Sequence, residues 1–168
     1  DFKDKVVIDV GSECGDTPLY FASKGATVYA FEPIKEHFEA LSKNLSLNEK
    51  LSKSIIPINA AIGKDELLTF YRDNSTDIGT SASFVYNKHG PDARTSKIQG
   101  MSLSTVFKKY NITRIDLLKT DCKGCEFFLN DNELKQIDRI KIAYFAKGKY
   151  KIENLLKQFH NSGFNCTM

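Results

Sequence analysis

The 168-residue chain has no apolar stretch approaching the roughly 20 residues that a membrane-spanning helix needs. It has no large surplus of either charge: 24 Lys and Arg stand against 21 Asp and Glu, a net +3, too little to argue for a nucleic-acid partner. Lysines cluster at Lys147-Gly148-Lys149-Tyr150-Lys151 and pair at Lys108-Lys109, and both read as solvated faces. Internal repeats and low-complexity linkers are absent, so a single domain over 1–168 is expected. A domain of this length buries roughly 70% of its unfolded surface. No signal peptide is visible, and a cytoplasmic protein is the expectation. The chain opens at Asp1 rather than Met, so truncation at one or both ends belongs to that expectation.

Cysteine is scarce, at positions 14, 122, 125 and 166. Four in a chain this long do not resemble a secreted disulfide framework. Cys122-Lys123-Gly124-Cys125 is a C-x-x-C, a pattern of redox chemistry or of a metal half-site. A zinc site would show a second pair or a His-x-x-x-His partner. The three histidines, His37, His89 and His160, are scattered, so no metal is expected. Cys14 and Cys122 both fall at strand ends, which leaves a three-thiol cluster geometrically open.

What is present is concentrated in residues 6–33, VVIDVGSECGDTPLYFASKGATVYAFEP. An apolar strand over 5–10 ends at Asp9-Val10 and runs into a loop holding Gly11 and Gly15. A short helix follows over 17–23, with Asp16 as its N-cap, Pro18 in its first turn and Gly25 as its stop. A second strand over 27–31 ends in Glu32-Pro33. Strand, glycine loop, helix, strand and acidic residue suit a nucleoside-containing cofactor at the carboxyl ends of a parallel sheet. The dinucleotide fingerprint G-x-G-x-x-G is missing; the glycines read G-x-x-x-G, a looser loop that holds no pyrophosphate. The plainer alternative is an ordinary βαβ unit with a glycine turn.

The rest of the chain alternates in the same way. Helical spacing of Phe38, Leu41 and Leu45 predicts a helix from Pro33 to about Asn48. Strands are expected over 55–61 and, antiparallel, over 67–71. Residues 72–100 are polar, lack apolar periodicity and read as a long loop. A helix is expected over 104–110, a buried strand over 115–120, a helix from Gly124 to Asn130 or Leu134, a strand over 140–145, a helix over 152–162 and a last strand from Phe164. This order implies an α/β fold with a mostly parallel sheet. Its carboxyl edge gathers loop 9–17, Glu32-Pro33, Asn59-Ala60-Ala61, Asp121-Cys122 and Tyr144-Phe145.

These residues resemble the FkbM-type methyltransferases, a class I family dependent on S-adenosylmethionine (SAM). The resemblance rests on Asp9-Val10-Gly11 with Gly15-Asp16-Thr17, on Phe31-Glu32-Pro33, and on Asn59-Ala60-Ala61-Ile62-Gly63. It continues in Ile115 to Asp121 leading to Gly124-Cys125-Glu126, in Gly79 to Ser83, and in Gly163-Phe164. It implies a Rossmann-like fold with helices on both faces and a C-terminal hairpin, of which only about half fits before Met168.

The resemblance also implies roles. Asp9, Gly11, Ser12, Glu13, Gly15, Asp16 and Thr17 form the cofactor loop, with Gly11 and Gly15 against the methionine part and the amides of their loop facing its carboxylate. Glu32-Pro33 holds the ribose, and Asn59, Ala60 and Ala61 lie along the adenine. Asp121 sits near methyl donor and acceptor, and with Ala143 and Phe145 standing where the family has a carboxylate and an imidazole, the role of base falls to it by default. The reaction expected is O-methylation of a hydroxyl on a sugar-like or natural-product small molecule, with neither nucleic acid nor membrane as partner. An N-P-P-Y-like tetrad, frequent in base methylation, is missing.

Each role has a plainer counterpart. Asp9 could bond loop amides, Asp121 could cap the following helix, Glu126 could be structural, Lys119 could pair with Asp121, and Ser81 and Ser83 could line a lid or solvate a loop.

Three positions depart from the family pattern: Glu13 for an Asn, Lys123 for a Glu, and Ile142-Ala143-Tyr144-Phe145 where I-E-Y-H is usual. The last removes a carboxylate and an imidazole. The alternative expectation is therefore a SAM-binding member whose activity is lost or altered.

Overall fold

The computed structural model describes residues 1–72, 82–84, 87, 90–144 and 150–167. Its centre is a five-stranded, wholly parallel sheet in the order β3-β2-β1-β7-β8. The strands are β1 (Val6–Val10), β2 (Thr27–Phe31), β3 (Ile55–Ile58), β7 (Leu117–Thr120) and β8 (Ile140–Ile142). Side chains alternate across this sheet, as period-two geometry requires. Ile8, Val10, Phe31 and Leu118 point to one face; Val7, Val28, Ala30 and Leu117 point to the other.

Helices cover both faces. On the second face lie α1 (Asp16–Ser23), α2 (Lys35–Ser46) and the short α3 (Glu49–Ser52), with Phe21, Ala22, Leu41 and Leu45 in the core. On the first lie α4 (Leu103–Tyr110), α5 (Asp131–Leu134) and α6 (Ile152–Asn161), contributing Val106, Phe107, Leu134, Leu155 and Phe159. The expected α/β, Rossmann-like fold is the fold observed. Continuous apolar runs such as Val6-Val7-Ile8 arise because both faces are buried. A fully enclosed side chain such as Phe31 contributes about 1.5–3 kcal/mol relative to exposure.

Several local expectations need correction. Gly15, not Asp16, is the N-cap of α1: its φ of 94° turns the chain without a side-chain cap, and Asp16 is the first helical residue. There it complements the positive end of the helix dipole. The helix expected from Pro33 begins at Lys35 and breaks after Ser46. The strand expected over 55–61 is two strands, because β4 (Ala61–Ile62) leaves the main sheet. It joins β5 (Leu67–Arg72) and β6 (Arg94–Met101) in a second sheet of order β4-β6-β5.

Strand β6 lies, but for Met101, within the segment read as loop. Its residues RTSKIQGM carry no clean alternation, and it forms by antiparallel pairing with β5, from Leu67↔Gln99 to Arg72↔Arg94. The helix expected after Gly124 is a 3-10 turn, Cys125–Phe128, followed by α5, with a capping box between Asn130 and Glu133. Strand β8 ends at Ile142, and residues 164–167 form no strand. Ser81, Phe145 and most of the lysine cluster lie outside the described residues.

Candidate functional site

The carboxyl ends of β1, β2 and β7 open into a cleft roofed by the second sheet. Its empty space is about 520 Å³, including the part open to solvent. Val10 lines it from the end of β1, Gly11 and Glu13 from the loop that follows, Glu32 and Pro33 from the end of β2, and Asp121, Cys122 and Lys123 from the end of β7. A second, polar recess adjoins it, about 570 Å³ of empty space with its solvent-open part included, lined by Gly11, Glu13, Asp16, Thr17, Lys119, Asp121 and Lys123.

The glycine loop is fixed by its own backbone. The amides of Gly11 and Ser12 both donate to the Phe31 carbonyl, at 2.9 and 3.1 Å, and the Gly15 amide donates to Ser12 at 2.8 Å. The amides of Gly11 and Gly15 are thus taken up inside the fold, which leaves other amides of this loop to meet a ligand. Among the described groups no acceptor meets the amides of Asp16 and Thr17, which open α1. Every helix leaves such donors at its start.

Gly11 is required sterically. Its φ is +81°, and a Cβ there would stand 2.4 Å from the Asp121 carbonyl oxygen. Gly15, at φ +94°, faces Leu41 of α2, whose Cδ1 would meet its Cβ at 2.4 Å. The second glycine therefore sets helix packing rather than lining the cleft.

Asp9 is fully buried and faces Lys119 across the β1–β7 ladder, where the two are register partners on one sheet face. Lys119 Nζ lies 2.9 Å from Asp9 Oδ1, close but poorly aligned for a hydrogen bond, so the two form a charge pair. Lys119 also donates to the Gly11 carbonyl at 3.2 Å. The Ser12 hydroxyl donates to Asp9 Oδ2 at 3.0 Å and to the Asp9 carbonyl at 3.1 Å. Burial pushes the Asp9 carboxyl up, against the opposing pull of Lys119 and Ser12. Lys119 thus pairs with Asp9, not with Asp121 as the strand parity alone had suggested.

Glu32 is 3% exposed and organises the cleft's other wall. One carboxylate oxygen accepts from the Glu13 amide at 2.9 Å and the other from the Ile34 amide at 2.9 Å. His37 Nδ1 stands 3.6 Å from it. Burial pushes the Glu32 carboxyl up, more than these donors pull it down. Each oxygen keeps a second lone pair. Asn59 stands behind: its amide donates to the carbonyls of Glu32, at 2.9 Å, and Pro33, at 3.3 Å, fixing the backbone that aims Glu32.

Asp121 is exposed at the junction of cleft and recess, its amide donating to Val10 at 2.8 Å. It does not cap the following turn, whose N-cap is Gly124. Glu126 is fully buried and accepts from the Gly124 amide at 2.9 Å, a structural part. Ser83 pairs with Tyr71 and gives its hydroxyl to the Lys123 carbonyl at 3.0 Å, so it anchors the loop after β7.

Of the residues nominated from sequence, Gly11, Glu13, Glu32, Pro33, Ala61 and Asp121 line the cleft, and Asp16 and Thr17 line the recess. Asp9, Ser12, Gly15 and Asn59 support the walls, and Ala60 packs into the core. Tyr144 lies elsewhere, on a groove between β8 and α6 with Ile142 and Leu155. Sequence reasoning missed Ile34, Phe70, Ala82 and Phe84, which supply much of the apolar lining, and His37 beside Glu32. The alternation in Leu67–Arg72 marks Phe70 as inward-facing, but only the second sheet aims it here.

Cys122 and Cys125 are joined by a disulfide, and Cys14 and Cys166 are free and exposed. The C-x-x-C is therefore a closed pair, and Cys14 does not join it in the three-thiol cluster that the sequence left open. The two sulfurs and the Glu126 carboxylate lie within 4.8 Å of one another, the one such group of possible metal ligands among the described residues. No helix among the described residues is long and apolar enough to cross a membrane.

Residues 9–166 match the family model described as the methyltransferase FkbM domain. A curated relative, the methyltransferase sdnD of Sordaria araneosa, is 29% identical over 147 residues. That match covers 71% of this chain and 57% of the relative, so the chain spans little more than half of the relative's length. No solved structure matches significantly.

Proposed function

The chain belongs to the FkbM methyltransferase family, and from that premise we infer that it binds SAM and methylates a hydroxyl of a sugar-like or natural-product small molecule. The observation that carries this reading is Glu32: a buried carboxylate at the end of β2, aimed by two backbone amides, with a lone pair left on each oxygen. That is the acceptor pair a vicinal diol such as ribose requires. The residues present fit the cofactor at its other parts also. Phe70, Phe84, Ile34 and Ala61 offer an apolar slot for a flat base. The open amides of Asp16 and Thr17, at the positive end of α1, suit the amino-acid carboxylate. SAM, when bound, supplies an electrophilic methyl group.

The remaining work belongs to the protein. The cleft walls hold the acceptor oxygen in line, which removes much of the entropic barrier. Asp121, exposed where cleft and recess meet, takes the hydroxyl proton as that oxygen attacks.

Isothermal titration of the intact protein with SAM tests the cofactor. Glu32→Ala is expected to weaken binding about 10- to 100-fold, as for charge-assisted hydrogen bonds. No binding, or equal binding by the variant, would overturn the reading. Transfer of labelled methyl to a panel of sugars and polyols tests the reaction; Asp121→Asn is expected to lower kcat by about 10²–10⁴ with SAM binding kept. Intact binding with no transfer to any hydroxyl acceptor favours a SAM-binding member without turnover.

A further inference from the structure

We propose that Cys122–Cys125 is a reversible thiol–disulfide exchange site that sets the rigidity of the cleft wall. Three observations converge on it. The disulfide spans the loop between β7 and the 3-10 turn, at the cleft: Cys122 lines the cleft and is half-buried, while Cys125 is 1% exposed. Its closed loop is very short, so its contribution to global stability is at the small end of what a crosslink gives. A sheet with helices on both faces already supplies the core. The bond's structural reach is local: it fixes Lys123 at φ +52° and Gly124 at φ +134°, and holds the Lys123 carbonyl on Ser83.

The second observation is what adjoins this loop. The Asp121 carbonyl fills the space above Gly11, so any movement of 121–124 is transmitted to the glycine loop. The third is Glu126. Its Oε2 lies 3.4 Å from Cys122 Sγ. In the reduced state the Cys122 thiol is a donor at that distance, so the dithiol form has a hydrogen bond that the disulfide lacks.

The exchange is balanced by a small dithiol. Its thiolate attacks Cys122 Sγ, the sulfur reachable from the cleft, and Cys125 leaves as thiolate. The second thiol of the reagent then attacks its own sulfur in the mixed disulfide and releases Cys122. The reagent ends as a cyclic disulfide; two electrons and two protons end on Cys122 and Cys125 as thiols. In the reduced protein the loop regains conformations that the bond had removed. The oxidised form is then the pre-organised one, and the reduced form binds SAM more weakly, on the order of 10-fold. That consequence for affinity rests on the SAM reading; the exchange itself does not.

The experiment equilibrates the intact protein in dithiothreitol buffers of graded redox ratio, traps free thiols by alkylation, and counts them by mass spectrometry. Hydrogen exchange of segments 9–15 and 119–126 is followed in both end states. The expected result is a reversible gain of two alkylation sites at 122 and 125, with faster exchange in both segments on reduction. Cys122→Ser/Cys125→Ser should exchange like the reduced protein at every ratio. A pair that is never oxidised, or exchange rates unchanged by reduction, would overturn the proposal. So would a reduced pair that holds one equivalent of added zinc and cannot be reoxidised, which makes these sulfurs metal ligands instead. SAM titration then separates the two readings. Equal affinity in both states refutes control of binding by this site. No binding in either state refutes the cofactor reading, while hydrogen exchange still decides the switch.

Discussion

Lys119→Met isolates the buried charge pair beneath the cleft. Asp9 has no exposure, and its nearest cation is Lys119 at 2.9 Å. Removing the ammonium leaves a carboxylate enclosed by β1, β7 and α1, which costs about 3–5 kcal/mol when one partner of a buried pair is lost. Against a total stability of roughly 5–15 kcal/mol this is a large fraction. The carboxylate can escape by binding a proton. Burial already holds its pKa above the ordinary 3.8, and loss of Lys119 removes the main opposing effect.

The sign follows from linkage. A native pKa raised above the unfolded value means that the native state holds a proton the unfolded state has lost. The variant's stability is therefore fully present below the unfolded value and falls as pH rises toward the native one, by about 1.4 kcal/mol per pH unit. The deficit relative to wild type should be small near pH 4 and largest at neutral pH. Urea unfolding followed by circular dichroism measures it, since the chain has no tryptophan to report by fluorescence. Asp9→Asn/Lys119→Met should recover part of the loss, because a neutral pair leaves no charge buried. A deficit under about 1 kcal/mol at pH 7, or one that does not change with pH, would refute the buried-pair account.

Gly11→Ala should destabilise by about 3 kcal/mol or more, from the left-handed φ and from overlap with the Asp121 carbonyl, read as a lowered urea midpoint; a neutral effect contradicts the geometry. Glu32, with its carboxyl held up chiefly by burial, should bind SAM only when ionised. Affinity is then expected to fall with pH at values above the ordinary 4.5, and Glu32→Gln should be weaker and flat across that range by titration calorimetry. Asn130→Ala removes a side chain that accepts from the Asn132 and Glu133 amides, at 3.0 and 3.1 Å, and should cost about 1 kcal/mol in thermal or urea unfolding; an unchanged midpoint means the cap is dispensable.

The sequence by itself determined the parallel sheet, its helices on both faces and the position of the cleft. Runs such as Val6-Val7-Ile8 and Leu117-Leu118, separated by amphipathic segments, admit few other arrangements, and ligand sites on such sheets follow from strand direction. Glu32 and Asp121 were legible for that reason: each closes a strand at the carboxyl edge. The strand β6 and the lining residues Phe70 and Phe84 were not, because the second sheet forms through pairing that local periodicity does not encode.

Tertiary structure also divided the loop's labour. It assigned Asp9 to Lys119, Gly15 to Leu41 and Asn59 to the backbone beneath Glu32, all contacts between residues distant in sequence. The C-x-x-C shows the same limit. Its spacing allows a redox pair or half a metal site, and only its closure beside the cleft, with Glu126 against the sulfur, gives it a defined place. Strand composition fixes where elements lie because burial is a property of each segment. Which polar groups meet is fixed by three-dimensional proximity, which no single segment contains.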